Sequence, residues 1–295
     1  MTQIPLTDDL SFSRIIAGVM RLNDWGLDAA GLLNWIEACL GMGVTTFDHA
    51  DIYGGYTCEA RFGEALALKP SLRAQMQLVT KCDIMLPTPN RPEITFHYYD
   101  TSKAHIIQSA EQSLRNLRTD YLDVLLIHRP DPLMDADEVA EALTELHTAG
   151  KVRHFGVSNF SPSQYQLLMA RMNLPLVTNQ VEFSLLHMNP LYDGTFDQMQ
   201  KLRVPPMIWS PVGGGRLFSE ETPLLATLRE IGAAHHATPD QIALAWTMRP
   251  PVKAMPVLGT GKLERIQAAV EAEKIELSRL EWFKIWSAAT GTEVP

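Results

Sequence analysis

A carboxylate, a phenol, an ammonium and an imidazole stand at or just past the ends of short apolar runs in this chain. Asp48 and Tyr53 lie in Thr45-Thr46-Phe47-Asp48-His49-Ala50-Asp51-Ile52-Tyr53-Gly54-Gly55. Lys81 closes Met76-Gln77-Leu78-Val79-Thr80, and His128 closes Tyr121-Leu122-Asp123-Val124-Leu125-Leu126-Ile127. In an α/β barrel the chemistry sits on the loops at the C-terminal ends of the strands. These four types together suit proton transfer to a carbonyl oxygen. A free tyrosine, with a pKa of about 10, donates poorly at neutral pH. A neighbouring ammonium stabilises the phenolate and so strengthens the acid. Lys81 is the expected ammonium, with Asp48 holding its charge, and His128 is expected to orient the carbonyl or help relay the proton. None of the four can supply hydride, so carbonyl reduction requires a nicotinamide cofactor. Taken singly each has a plainer reading: a packed ring, a structural ion pair, a turn histidine before Pro130.

Other titratable residues are less telling. His49 adjoins Asp48 and is a candidate pocket residue, whereas His154 reads as an ordinary strand residue and His235-His236 as a solvated helix face. Asp48-His49-Ala50-Asp51 also contains metal-ligand types. No His-x-His pair accompanies them, and Lys81 would repel a cation, so no metal site is expected.

The elements that must position the four residues alternate along the chain. Strand-like runs are 14–20, 45–48, 76–80, 121–127, 153–157, 176–181, 206–210 and 252–258. Between and after them lie helical stretches at 30–40, 102–118, 136–148, 162–172, 196–202, 223–234, 240–249 and 279–289. Asp137 and Glu138 open one helix and Gly150-Lys151 follows its end, in keeping with the helix dipole and with glycine as a C-cap. Ser161-Pro162 and Thr238-Pro239 are helix starts, with a hydroxyl N-cap and proline in the first turn. Eight strands with intervening helices predict a (β/α)₈ TIM barrel, one domain over residues 1–295. No Gly-x-Gly-x-x-Gly follows the first strand, which disfavours an open dinucleotide-binding sheet.

Composition narrows the partners. The 295 residues are 46% hydrophobic and 20% charged, as in a globular enzyme with a large core. A net charge of −9 argues against a nucleic-acid surface, which needs a basic face. No apolar run of about 18 residues appears, and Met1 to Leu10 lacks a basic start followed by an apolar core, so neither membrane nor export is expected. Cys39, Cys58 and Cys82 form no Cys-x-x-Cys pair, which fits a reducing, cytoplasmic setting. The sequence does not set the oligomeric state, and a monomer is compatible with it.

The segments around these residues resemble the aldo-keto reductase superfamily over nearly the whole chain, and within it the YdhF-type bacterial oxidoreductases. The resemblance rests on Phe47-Asp48-His49-Ala50-Asp51-Ile52-Tyr53-Gly54, Val79-Thr80-Lys81, Asp123-Val124-Leu125-Leu126-Ile127-His128-Arg129-Pro130 and Gly150-Lys151-Val152-Arg153-His154-Phe155-Gly156-Val157-Ser158-Asn159-Phe160. It implies that Asp48, Tyr53, Lys81 and His128 are the catalytic set, with Tyr53 the proton donor and Asp48 also beside the cofactor. It further implies that Ser158, Asn159 and Gln180 bind the nicotinamide carboxamide and that Trp209 stacks on the ring, followed by Ser210 and Pro211. Val212-Gly213-Gly214-Gly215-Arg216-Leu217 then supplies glycines that let backbone approach a pyrophosphate, with Arg216 adding charge. Gly259 and Thr260 lead into a helix near Leu263, a natural phosphate site. Lys262 and Arg265 look like the family's 2′-phosphate contacts, favouring NADPH/NADP+. Ala268-Ala269 stands where the family often has Glu-Asn toward the adenine.

Substrate is less legible. The residues after the last helix are too few for a long C-terminal lid, whereas the connection from Cys82 to Thr101 is long and carries Phe96, Tyr98 and Tyr99. Connections of that length are usually functional or disordered. That segment is the expected substrate wall, joined by Trp25. The expected activity is NADPH-dependent reduction of a small-molecule aldehyde or ketone. The alternatives are a nicotinamide-binding accessory or redox-sensing subunit with little turnover, and a metal-dependent barrel hydrolase.

Overall fold

Eight parallel strands close into a ring in the computed structural model, which describes residues 1–294. They are β1 (Ile16–Gly18), β2 (Thr46–Asp48), β3 (Gln77–Cys82), β4 (Leu122–Ile127), β5 (Val152–Ser158), β6 (Leu176–Glu182), β7 (Met207–Trp209) and β8 (Met255–Leu258). Neighbours follow chain order, and β8 closes on β1 with Val257 opposite Ile16 and Leu258 opposite Ala17. Each strand meets side chains inside the barrel and helices outside, which is why β4 is buried at every position and reads as a continuous apolar run.

Around the ring lie α1 (Ala29–Gly41), α2 (Cys58–Ala67), α3 (Lys103–Leu117), α4 (Ala136–Thr148), α5 (Pro162–Met169), α6 (Thr195–Leu202), α7 (Pro223–His235), α8 (Pro239–Met248), α9 (Leu263–Ala272) and α10 (Arg279–Thr290). Their starts are set locally. The Asp28 carboxylate accepts from the Gly31 amide at 2.7 Å, and Asp135 accepts from the Asp137 amide at 2.9 Å. Ser161 with Gln164, and Ser278 with Glu281, form capping boxes.

Three features depart from the sequence reading. Helix α2 has no counterpart in it. A hairpin of Gln3–Pro5 with Ser11–Ser13 precedes the barrel and lies under it. Its Ile4, Leu10 and Phe12 pack with Ile16, Val79, Val124, Leu126, Val177, Met207, Met255 and Val257, which form the barrel interior. The hydroxyl of Ser13 takes the Thr45 amide, so the hairpin is tied to the start of β2. The long connection after β3 is a folded hairpin, with Ile84 opposite Tyr99 and Met85 opposite Tyr98.

Candidate active site

Lys81 projects from β3 into the upper barrel and is fully buried. Its ammonium donates to Asp48 Oδ1 at 2.7 Å and Oδ2 at 2.8 Å, to the His49 carbonyl at 2.7 Å, and to the Tyr53 hydroxyl at 3.2 Å. Asp48 ends β2 and takes a further bond from Gln180 Nε2 at 2.9 Å. A buried charge of this kind survives only when paired and hydrogen-bonded, and this one is both. Tyr53 reaches the same point from the turn after β2. Gly54 follows it at φ 60°, where a Cβ would stand 2.4 Å from Asn23 Nδ2 and 2.6 Å from Cys58 Sγ. His128 stands across from Tyr53, ring centroids 6.1 Å apart. The four residues singled out from the sequence thus meet at one point.

The electrostatics differ from expectation in one respect. Burial raises the Tyr53 phenol, and Lys81, which pulls it down, does not win in the free protein. Burial works against the Lys81 ammonium, yet Asp48 and Tyr53 hold it above its ordinary value. Burial, with Lys81 and Arg129 adding to it, pushes His128 well below its ordinary value, so its ring is neutral at pH 7. Its Nδ1 has no partner among the described residues.

The loop carrying His128 is held by its neighbour on β3. The His128 amide donates to the Cys82 carbonyl at 3.0 Å, and the Arg129 amide to Asp83 Oδ2 at 3.0 Å. Asp83 is fully buried at φ 102°, a conformation that costs a non-glycine residue roughly 1–3 kcal/mol. Burial raises its carboxyl well above the usual range.

A cavity of about 840 Å³ opens above this cluster and extends past β6, β7 and β8. Asp48, Tyr53, His128, Ser158, Asn159, Gln180, Trp209, Ser210, Pro211, Val212, Gly214, Gly215, Gly259, Thr260 and Arg265 all line it. Within the wall, Asn159 Nδ2 donates to Ser158 Oγ at 2.8 Å, and Trp209 Nε1 donates to Asn159 Oδ1 at 2.9 Å. A Cβ added at Gly215 or Gly259 would meet nothing within 4 Å, so the glycines leave backbone facing open space. That is a backbone cradle of the kind that suits an anionic group.

Other expected residues lie elsewhere. Gly213 is buried against Leu186, and Leu217 is in the core. Arg216 turns back so that its Nε donates to the Gly213 carbonyl at 3.1 Å. Lys262 is exposed at the N-cap of α9 and does not line the cavity. Trp25 packs on Trp35, ring centroids 4.8 Å apart, and against Gly261, so it braces the loop after β8 and is not a substrate wall. His49 is buried edge-on to Phe62 and does not line this cavity. From the connection after β3 only Ile84 lines the cavity, while Phe96 is 65% exposed. Sequence reasoning missed Met20, Arg21, Ile52 and Arg129, all on the cavity wall. Arg129 had a signal, as it directly follows the histidine. Among the described residues, no three His, Cys, Asp or Glu side chains gather as metal ligands, and no helix is long and apolar enough to cross a membrane.

Known proteins are similar to this chain in sequence and fold. The model of the aldo/keto reductase family matches residues 14–289. Oxidoreductase YdhF of Escherichia coli is 54% identical, with 96% of each chain covered. The 6-dehydroglucose reductase of Agrobacterium fabrum is 45% identical over the full length of both chains. A crystal structure of an aldo/keto reductase from Klebsiella pneumoniae, in complex with NADP and acetate, superposes with a TM-score of 0.77 at 26% identity, covering 94% of this chain and 92% of that one. A ring of eight parallel strands with this sequence match places the chain in the aldo-keto reductase family of oxidoreductases.

Proposed function

We propose that the protein reduces aldehyde or ketone carbonyls to alcohols with NADPH, using Tyr53 as the proton donor. One observation carries this reading: the Lys81 ammonium bridges Asp48 and the Tyr53 hydroxyl at the floor of the cavity. The reduced nicotinamide, when bound, supplies the hydride. Tyr53 gives its hydroxyl proton to the carbonyl oxygen. Because burial keeps the phenol protonated, it is ready as an acid throughout the neutral range. Lys81 matters most as negative charge develops on the phenol oxygen, since a fixed ammonium stabilises that charge without reorganising. Asp48 and Gln180 keep the ammonium in place. His128, neutral, orients the substrate oxygen by a hydrogen bond.

On the cofactor side, Ser158, Asn159 and Gln180 fit the carboxamide, Trp209 the ring face, and the cradle of Gly215 and Gly259, with Gly214 beside it, the pyrophosphate. Arg265, on the wall beyond Gly259 and Thr260, fits the 2′-phosphate, with Lys262 at the helix start beside it. The whole chain acts as one barrel domain in this reading, and three buried free thiols fit a cytoplasmic setting. An accessory or redox-sensing role is the weaker reading, because a binder would need only the cofactor half. The sugar aldehyde named for the Agrobacterium relative falls within the proposed substrate class.

The test is NADPH binding by fluorescence, then NADPH oxidation across a panel of carbonyls by wild type and Tyr53→Phe. Wild type should turn over, while the variant should bind NADPH and lose roughly 10²–10⁴-fold in kcat. Turnover by the variant at the wild-type rate would remove Tyr53 from the role.

A further inference from the structure

The cavity holds a cation that the proposed reaction does not use. Arg129 follows His128 and lines the cavity beside Tyr53, with its guanidinium 5.9 Å from the centroid of the Trp209 ring. Its backbone is fixed by the bond from its amide to Asp83 Oδ2 at 3.0 Å. Its side chain is partly buried. Among the described residues, carboxylates pair with Arg73, Arg91, Arg115, Arg153, Arg171 and Arg229, but none pairs with Arg129. No side-chain hydrogen bond of Arg129 is formed there either. Lys81, by contrast, is fully committed to Asp48, the His49 carbonyl and Tyr53.

A guanidinium presents five N–H donors in a rigid fork suited to paired oxygens. Here the fork shares the cavity wall with Tyr53 and His128, and its charge reaches both groups. Ile52 and Ile84 add apolar surface to the same wall. A substrate seated with its carbonyl at Tyr53 and His128 therefore shares the cavity with both hydrocarbon and an unpaired fork. We infer that Arg129 is a specificity-determining residue whose fork takes oxygens borne on the one or two carbons next to the reacting carbonyl, so that the preferred substrates are α-oxygenated aldehydes. The shared chemistry is a pair of acceptor oxygens, supplied by neighbouring hydroxyls or by a carboxylate. The inference rests on the carbonyl-reduction reading for its substrate but not for its binding site.

The experiment compares kcat/KM for propanal, glyceraldehyde and glyoxylate in wild type, Arg129→Met and Arg129→Lys. Removing the charge alters Tyr53 acidity for every substrate alike, so the ratio to propanal isolates the fork. Wild type should favour the two oxygenated substrates by about tenfold or more, the factor expected of one charge-assisted pair. Arg129→Met should bring both ratios close to one. Arg129→Lys, which keeps the charge but not the paired donors, should retain part of the preference for glyoxylate and lose that for glyceraldehyde; a full preference for both would overturn the role of the fork. Unaltered NADPH affinity shows that the variants are folded. A second measurement titrates glycerate into the NADP+ complex, read by tryptophan fluorescence. Wild type should bind it at least tenfold more tightly than Arg129→Met. Ratios and glycerate affinity unchanged in Arg129→Met would overturn the inference. Glycerate binding that depends on Arg129 without turnover of any carbonyl would instead refute the reductase reading and leave the oxygen-binding fork standing.

Discussion

Replacing Lys81 with methionine separates what this residue does for the fold from what it does for the chemistry. The ammonium makes two bonds to Asp48, at 2.7 and 2.8 Å, and Asp48 is only 2% exposed. Methionine fills similar space but leaves that carboxylate with Gln180 as its partner. Breaking a buried pair by removing one member costs roughly 3–5 kcal/mol, because the other charge stays buried. The loss should be larger at pH 8 than at pH 5. An unpaired buried carboxyl has a raised folded pKa, so its cost grows as pH rises through the unfolded value toward the folded one. Adding Asp48→Asn removes the stranded charge, and the double variant should regain most of the lost stability and lose the pH slope. Catalysis should not return with it, since Tyr53 still lacks the ammonium that stabilises its developing charge. Both variants should fall by roughly 10²–10⁴-fold in kcat. Urea denaturation at the two pH values and NADPH oxidation with a fixed aldehyde supply the two readouts. If the double variant recovers activity along with stability, Lys81 is only a structural partner of Asp48. If Lys81→Met turns over within tenfold of wild type, the proton-donor mechanism is wrong.

Further predictions come from the same geometry. Arg265→Ala should lower the NADPH:NADH affinity ratio by about tenfold or more, at roughly 1.5–3 kcal/mol per charge-assisted bond. Lys262→Ala should lower it less, because Lys262 lies off the cavity wall; equal effects in fluorescence titrations would contradict this. Ile84→Ala should shift the preference between small and bulky aldehydes more than Phe96→Ala, since only Ile84 lines the cavity; the reverse order in kcat/KM would reject that wall. Burial, with the nearby Glu59 charge, pushes the Asp51 carboxyl up to about 7 from an ordinary 3.8. Folding then retains a proton that the unfolded chain loses, so stability falls as pH rises from about 4 to 7, by at most ~4 kcal/mol. Asp51→Asn should flatten that slope in denaturation curves, and an unchanged slope would place its origin elsewhere. Turnover should survive exhaustive chelation with EDTA; loss restored by zinc or magnesium would favour the hydrolase.

The barrel and its four floor residues were legible because strand ends carry their own signature: a buried run that stops at a polar residue. Helix α4 was read with its full bounds because Asp135 to Glu138 and Gly150 mark both its ends. Helix α2 was not, since two glycines precede it and its buried Glu59, bonded to Thr80 at 2.7 Å, breaks the apolar stripe. The cofactor loop was only half legible. Three consecutive positive-φ glycines mark a tight turn, but whether Arg216 faces the cavity or folds back on Gly213 depends on side-chain packing. Trp25 misled for a similar reason. Its place after β1 suggested the substrate mouth, yet β8 is the neighbour of β1 in the closed ring, and Trp25 leans toward the loop that follows it.

The hairpin beneath the barrel has a bearing on how the proposed reaction would be resupplied. With Phe12 fully buried and set among Val79, Leu126 and Val257, the barrel has a dry floor. A proton lost from Tyr53 therefore has no route home through the base of the ring; it must come back through the mouth, past whatever occupies the cavity. If Tyr53 is the proton donor as proposed, the order of events is thereby constrained: reprotonation waits until the product, or the cofactor, has made room for water. Solvent deuterium should accordingly enter the Tyr53–Lys81 pair quickly in the empty protein and slowly once the mouth is filled. Loosening the floor, for instance with Phe12→Ala, should give that exchange a back door.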